Sequence, residues 1–341
     1  MLKKKAIIFG VTGQDGYYLT KLLLKKNYIV HGVKRRSSSV PTNRISSFLN
    51  QKNFIIHYGD LTDTSSIYNI IKTVKPHEIY NLAAQSHVGV SFYTPIFTAN
   101  VNAIGVLSIL EAIRTIKKDI KFYQAGTSEM FGKTASRVQS EKTIFNPQSP
   151  YGAAKVFAHQ ITRNYRDAYK IFASNGILFN HESPFRGDNF VTKKIVSSLS
   201  NIKIGKQKKL VLGNLYARRD WGHAADYVEA IHKILQQKKP DDYVIATGRE
   251  CTIKEFVNKT AKIINLKIKW KGRDLNEIAI DEKGKTIISV DKKYFRPLEV
   301  DYLKGDATKA KKILKWRTKI TLEDLIKEMV LHESKQLIKK S

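Results

Sequence analysis

Lys5-Ala-Ile-Ile-Phe-Gly10-Val-Thr-Gly-Gln-Asp-Gly16 is the stretch whose reading decides the fold. Ala6 to Phe9 is a short apolar run closed by glycine, the pattern of a buried strand. Beyond Gly16 the spacing predicts a helix over 17–26, with Leu19, Leu22 and Leu23 on one face. The unit is therefore strand, glycine loop, helix. Gly10, Gly13 and Gly16 permit a tight turn and close backbone approach to a pyrophosphate at the helix N-terminus. Thr12, Gln14 and Asp15 share that loop. The spacing is G-x-x-G-x-x-G, and glycines alone are often plain turn residues. The flanking strand and helix favour a dinucleotide-binding loop.

Working outward, a second strand is predicted over 28–33, followed by Lys34-Arg35-Arg36-Ser37-Ser38-Ser39. An NAD-selective enzyme usually places an acidic residue here, on the ribose hydroxyls. This chain has no Asp or Glu between Gly16 and Gly59. Arg35, Arg36 and Ser37 suit a 2′-phosphate instead, so the expected cofactor is NADP. The plain alternative is an exposed basic loop. A third strand over 54–58 leads to Asp60 and Leu61. Asp60 either accepts from an adenine amino group or caps the following helix. A fourth strand over 78–82 ends in Leu82-Ala83-Ala84-Gln85-Ser86-His87, where small residues let a cofactor reach the backbone. Leu61, Leu82, Ala83, Ala84 and Ser86 join the cofactor-binding candidates. No partner at metal-ligand spacing accompanies His87, so it is read as structural or peripheral and no metal is expected.

A long helix over 98–117 precedes a strand over 121–125, which delivers Thr127 and Glu129 at its C-terminal end. Open α/β sheets hold their ligands there. Pro147 and Pro150 then break the chain before Tyr151-Gly-Ala-Ala-Lys155. Tyr151 and Lys155 are four residues apart, one turn on a single helix face. A lysine ammonium beside a phenol favours the phenolate, so the Tyr151 pKa should fall toward neutrality and make it a general base. Thr127 adds a hydroxyl to hold a substrate oxygen. Glu129 adds a second base, and two different bases suggest more than one proton abstraction. A bare Y-x-x-x-K is weak, since lysine-rich helices contain it by chance. Its company gives it meaning.

Strands alternating with helices predict a Rossmann-type, doubly wound parallel sheet of α/β class. After Ser174 the rhythm changes, and a smaller C-terminal α+β substrate domain is expected. The expected division is 1–185 for the nucleotide-binding domain, with about 215–250 returning to it, and 186–341 mainly for substrate. The clusters Arg218-Arg219-Asp220-Trp221 and Tyr294-Phe295-Arg296-Pro297-Leu298-Glu299 offer arginines for a diphosphate. Interdomain salt bridges are an equally good reading of any one of them.

The chain has 341 residues and 42% hydrophobic content, enough for a large core. Its net charge of +30 comes as scattered lysine pairs, without a basic tail or an aromatic RNA-binding signature. A solvated lysine-rich surface is expected, and no nucleic-acid partner. No uninterrupted apolar run approaches a membrane span, so no membrane partner is expected. The N-terminal apolar run is too short for a signal-peptide core, which implies a cytoplasmic protein. The single cysteine, Cys251, excludes an intrachain disulfide and a cysteine metal cage.

Taken together, the glycine loop, Thr127 and the Tyr151/Lys155 pair resemble an extended short-chain dehydrogenase/reductase. Further segments narrow the likeness to the GDP-mannose 4,6-dehydratase family. They include Arg35-Arg-Ser-Ser-Ser39, Tyr58-Gly-Asp-Leu-Thr-Asp63, Gly176-Ile-Leu-Phe-Asn-His-Glu-Ser-Pro184, Arg219-Asp-Trp-Gly-His223 and Arg296-Pro-Leu-Glu-Val-Asp301. The Asn-His-Glu-Ser-Pro and Arg-Asp-Trp-Gly-His segments are the most specific. The resemblance implies that Tyr151 takes the proton of the sugar 4-hydroxyl while NADP receives the C4 hydride. Glu129 then removes the C5 proton, water leaves from C6, and hydride returns to C6. Thr127 holds O4, and Lys155 serves Tyr151 and the nicotinamide ribose. His181 and Arg186 match cofactor-binding positions. Ser86, Asn180, Lys193, Arg219, Arg296 and Glu299, with Thr127 and Glu129, match positions around a GDP-mannose substrate. A homo-oligomer, dimer or tetramer, is implied, with Arg35 and Arg36 near a subunit boundary. The alternative is another NADP-dependent nucleotide-sugar dehydratase or epimerase. Three positions depart from the family pattern: Gly126 for serine, Phe185 for arginine and Phe97 for tyrosine.

Overall fold

The structure, a computed structural model, describes residues 3–37 and 44–339. Its elements in chain order begin with β1 (Lys5–Phe9), α1 (Gln14–Lys25), β2 (Ile29–Lys34), β3 (Phe54–Tyr58), α2 (Thr64–Val74) and β4 (Glu78–Asn81). They continue with α3 (Val88–Ser91), α4 (Pro95–Ala99), α5 (Gly105–Ile116), β5 (Lys121–Ala125), α6 (Pro150–Tyr169), β6 (Ala173–Leu178) and β7 (Asn180–Glu182). Then follow α7 (Val191–Lys203), β8 (Leu210–Leu212), β9 (Arg218–Arg219), β10 (Trp221–His223), α8 (Ala224–Leu235), β11 (Asp242–Ile245), β12 (Cys251–Thr252) and α9 (Ile253–Ile263). The last are β13 (Lys269–Lys271), β14 (Ile278–Ile280), β15 (Thr286–Val290), α10 (Thr308–Ile313) and α11 (Leu322–Lys339).

Seven strands form one parallel sheet in the order β11-β6-β5-β4-β1-β2-β3. Its central strands are buried on both faces because helices cover both, while the edge strand β3 is partly exposed. Ala6 and Ile8 join a core with Leu19 and Leu23 of α1 and Ile231 and Ile234 of α8. Ile7 and Phe9 point the other way, into a core with α2, α5 and Ala158 of α6. Each such fully buried isoleucine contributes about 1.5–3 kcal/mol. The strand order reverses at β1, which lies between β2 and β4. Gly10 closes β1 at φ +82°, and a Cβ there would lie 2.8 Å from the Ala83 nitrogen after β4. A side chain would wedge apart the two strand ends that bound the crevice.

Helix starts follow local chemistry. Asp63, not Asp60, caps α2, accepting from Ser65 and Ser66 amides. Asp60 instead turns back on Thr62, accepting from its amide and hydroxyl at 2.9 Å. Ser149 caps α6, and Pro150 opens it at a position that needs no amide donor. Thr252 and Glu255 close a capping box on α9.

The stretch Pro95–Ile116, 22 residues long, contains an 18-residue window of mean hydropathy 1.7, apolar enough by composition to cross a membrane. Its apolar side is packing surface: Val106, Ile109, Leu110 and Ile113 are buried against the sheet.

A second, smaller unit carries a four-stranded sheet ordered β13-β14-β15-β8 and a core shared by α7, α9 and α11. The segment around 215–250 contributes β11 to the large sheet and α8 to its face. A second return, absent from the sequence reading, spans Val300 to Trp316, whose Val300, Leu303, Ala310, Leu314 and Trp316 are buried in the large-sheet core. Two short pairs stitch the units: β7 runs parallel to β10, and β9 antiparallel to β12. They carry His181 and Arg219 to the C-terminal edge of the large sheet.

Candidate active site

A cavity of about 600 Å³ opens where the sheet's C-terminal edge meets the smaller unit. Asp15, Leu82, Ala84, Ser86, Thr127, Glu129, Tyr151, Lys155, Asn180, His181, Arg186, Arg219, Arg296 and Glu299 all line it. The strand ends place the first group; β7, β9 and the 291–299 loop bring in the rest.

Tyr151 and Lys155 lie one turn apart on α6, and both are buried. The Lys155 Nζ donates to the Ala125 carbonyl at 2.9 Å and stands 5.9 Å from the Tyr151 ring centre. Burial pushes the Tyr151 phenol up to about 12, partly offset by a hydrogen bond with Thr127 and reinforced by the Glu129 charge. Burial also brings the Lys155 ammonium down to about 8. The expected fall of Tyr151 toward neutrality is therefore not produced by Lys155. Desolvation of the phenolate outweighs an ammonium that is itself desolvated and turned toward a carbonyl.

Thr127 caps the turn that follows β5, its hydroxyl accepting from the Glu129 amide at 3.2 Å. This aims Glu129 into the cavity with only 7% of its surface exposed. Burial raises the Glu129 carboxyl, but Arg296 and then Arg219 outweigh it and hold it below the usual glutamate value. Arg296 Nη1 stands 3.1 and 3.3 Å from the two carboxylate oxygens. The pairing thus favours an ionised base at neutral pH.

His181 anchors the opposite side of the glycine loop. Its Nε2 meets Asp15 Oδ2 at 2.8 Å, and its Nδ1 meets the Phe179 carbonyl at 2.8 Å. The ring stacks on Tyr227 with centroids 4.5 Å apart. Gln14 ties the same loops, donating to the His181 carbonyl and accepting from Ser183. Arg186 pairs with buried Glu182 at 2.9 Å and lies over the Phe190 ring. Across the strand ends, a π-helical turn over Asn100–Ile104 puts the Asn102 side chain on both backbone groups of Gln85. That fixes the loop carrying Ala84 and Ser86.

The remaining cofactor candidates form an arc along the strand ends rather than lining the cavity. Gly10, Thr12, Gly13 and Gly16 form the loop into α1, whose N-cap Gly13 makes no side-chain cap bond. Ala83 abuts Gly10. Arg35, Arg36 and Ser37 are exposed after β2, and Asp60 and Leu61 follow β3. Ser38 and Ser39 lie outside the described residues. The side-chain-free cradle and open helix terminus fit a dinucleotide's pyrophosphate. Among the described residues no cluster of three or more His, Cys, Asp or Glu is arranged to hold a metal.

Lys193 is placed elsewhere. It is buried and bonded to Glu333 of α11 at 2.8 Å. Lys194, which the sequence reading passed over, lines the cavity, donates to the Val211 carbonyl at 2.7 Å and lies over the Tyr294 ring. Successive residues of a helix differ by about 100° in direction, so adjacent lysines cannot share a role. Arg44 was also missed. It donates to the Thr12 and Phe185 carbonyls at 3.1 and 2.9 Å, tying the glycine loop to the 181–187 loop. No local pattern marks it.

The three departures each have a physical setting. A Cβ at Gly126 would lie 2.9 Å from the Gly176 carbonyl and 3.1 Å from Met130, so serine would require both to shift. Phe185 packs on Tyr17, Tyr18 and His332, filling an aromatic cluster. Phe97 is 43% exposed and does not reach the cavity.

The chain is 52% identical over 336 residues to a GDP-mannose 4,6-dehydratase of Sinorhizobium fredii, covering 96% of each. It is 51% identical to the human GDP-mannose 4,6 dehydratase, covering 95% of this chain and 90% of that one. In fold it is similar to a dTDP-glucose 4,6-dehydratase of Bacillus anthracis in complex with NAD, at a TM-score of 0.80 and 23% identity, covering 97% of both chains. A Pseudomonas aeruginosa protein complexed with NADPH aligns at a TM-score of 0.76 and 18% identity, covering 98% of this chain and 100% of that one. The profile of the GDP-mannose 4,6 dehydratase family matches residues 7–329, and the chain belongs to that family.

Proposed function

We propose that this protein dehydrates GDP-mannose to GDP-4-keto-6-deoxymannose, with NADP as an internal hydride carrier. The observation that carries the reading is the convergence of two bases, Tyr151 and Glu129, with Thr127 between them on one cavity wall. A simple reductase needs no second base. When bound, the oxidised nicotinamide would supply reversible hydride transfer and a positive charge that would favour the phenolate. In this reading Tyr151 takes the 4-hydroxyl proton and Thr127 holds O4. Glu129 removes the C5 proton, the same carboxyl group protonates the departing 6-hydroxyl, and C5 regains a proton, equivalent to the one Tyr151 took, as hydride returns to C6, so one water leaves with no net redox change. Lys155 orients the ribose. Asp15, His181, Arg186 and the arc from Gly10 to Leu61 hold the cofactor. Ser86, Asn180, Arg219, Arg296 and Glu299 surround the nucleotide sugar, with Lys194 in the place first expected of Lys193.

NADP rather than NAD rests on Arg35 and Arg36 and on the absence of an acidic residue between Gly16 and Gly59. A homo-oligomer is supported by exposed Tyr93 just before α4, by exposed Ile96, Phe97 and Ile104 along the 95–116 stretch, and by Phe157 on α6. A cytoplasmic location fits a chain whose one cysteine is buried and free. Neither nucleic acid nor membrane enters the reading. The test is incubation with GDP-mannose and catalytic NADP⁺, followed by mass. Loss of one water without accumulation of NADPH is expected. An unchanged mass with epimerisation by NMR would overturn it in favour of an epimerase.

A further inference from the structure

Glu129 and the two arginines that face it come from different parts of the molecule. Glu129 stands on the turn after β5 of the large sheet. Arg296 stands on the 291–299 loop, which runs from β15 of the smaller unit. Its amide is fixed by the Glu299 carboxylate at 2.8 Å, and Asp291 caps the turn that leads into it. One guanidinium nitrogen of Arg296 spans both oxygens of Glu129, at 3.1 and 3.3 Å. Arg219 comes from β9, paired with β12, and is 6% exposed. Its neighbour Asp220 is clamped by the Thr247 and Gly248 amides at 2.9 and 2.8 Å, which fixes the strand.

A carboxylate this deeply buried is costly to ionise without a partner. Among described residues, the Glu129 carboxylate forms its ion pair with Arg296. Lys155, which also lines the cavity, donates to the Ala125 carbonyl.

We propose that Arg296 is a positioning residue for Glu129: its guanidinium clamps both carboxylate oxygens and makes the second base of the reaction an ion pair between the two structural units. Proton abstraction at C5 then depends on docking of the 291–299 loop, not only on residues of the large sheet. Arg219 supplies a second, weaker contribution across the same space, because it bonds to the Arg218 carbonyl instead of the carboxylate.

This inference rests on the dehydration reading for its meaning, but its test does not need turnover. The charge of Glu129 can be followed by infrared difference spectra of the purified protein, with Glu129→Gln subtracted to isolate its carboxylate band. In the wild type the band should persist through mildly acidic pH. In Arg296→Met its titration midpoint should rise by about one to three pH units, the range that an adjacent opposite charge commands. Arg296→Lys should restore most of the shift, which loss of packing alone would not predict. Arg219→Met should move it less. If Arg296→Met does not fold, Arg296→Gln is measured in the same way. An identical midpoint in wild type and the folded neutral variant overturns the proposal. Absence of GDP-mannose turnover in the wild type would instead overturn the dehydration reading while leaving this titration interpretable. Where turnover is present, the acid limb of the kcat profile should move with the infrared midpoint.

Discussion

His181, which is buried, and Asp15, which is half-buried, form an ion pair in which both imidazole nitrogens face acceptors: Nε2 meets the Asp15 carboxylate and Nδ1 the Phe179 carbonyl, each at 2.8 Å. Two acceptors require two ring protons, so the geometry selects the imidazolium. Burial opposes this, yet Asp15 and the carbonyl together raise His181 above its ordinary value. The carboxyl of Asp15 is correspondingly held low, with burial outweighed by His181.

The pair should therefore respond to pH from both sides. The raised His181 contributes stability below its unfolded value of 6.5, lost as pH rises through its folded value. The lowered Asp15 contributes above 3.8, lost as pH falls through its folded value. Asp15→Asn should leave His181 neutral at pH 7, seen as a change of ring ¹⁵N shifts. It should also weaken NADPH binding, because the pair ties the glycine loop to the 181–187 loop. Unchanged ring shifts would contradict the pairing.

Separate roles for the two bases make distinguishable variants. Tyr151→Phe should stop the reaction before any change of the sugar. Glu129→Gln, given stoichiometric NADP⁺, should allow the 4-keto sugar to form but slow water loss by about 10²–10⁴-fold, the usual contribution of a general base. Mass spectrometry of the sugar product distinguishes loss of two hydrogens from loss of water. Full dehydration by Glu129→Gln at the wild-type rate would remove Glu129 from the mechanism.

Lys193 and Lys194 should fail in different ways. Lys193→Met strands the Glu333 carboxylate, and breaking a buried pair costs about 3–5 kcal/mol. The outcome expected is a lower Tm with an unchanged KM, and partial recovery of Tm on adding Glu333→Leu. Lys194→Met should raise KM with little change in Tm. A KM effect confined to Lys193→Met would reverse this assignment.

Acid should unfold the protein through its neutral histidines. Burial brings His31, His159 and His232 each down to about 4, against 6.5 in the unfolded chain. The unfolded state therefore takes up more protons between these values. The stability is present above pH 6.5 and is lost as pH falls through 4. Three such groups give a slope of up to about 4 kcal/mol per pH unit. Among the described residues, His31 Nε2 and His159 Nδ1 have no hydrogen-bond partner. Melting curves at pH 7.5, 6 and 5 should show the loss, and His31→Gln should flatten it. A Tm independent of pH over that interval would contradict this account.

Much of the fold was legible because its signals are local. The apolar run before Gly10, the glycine loop and the leucine face of α1 are contiguous, and each has a backbone cause. The same holds for Tyr151 and Lys155, where helix geometry alone sets them one turn apart, and for Thr127 and Glu129, which follow a strand end. Pairing across the chain was not legible. Glu129 meets Arg296 across 167 residues. The same separation of scales hid the return of Val300–Trp316 to the large core and the β13–β15 strands, whose short runs carry little period. Tyr151 shows the deepest division. Sequence placed a lysine beside it and so implied an acidic phenol, but the acidity depends on desolvation and on where the ammonium points. The amino-acid sequence by itself determined which chemical groups could meet and on which strand ends they would stand. Only the tertiary structure decided their charges and partners, because burial and long-range ion pairing arise when distant segments close over one cavity.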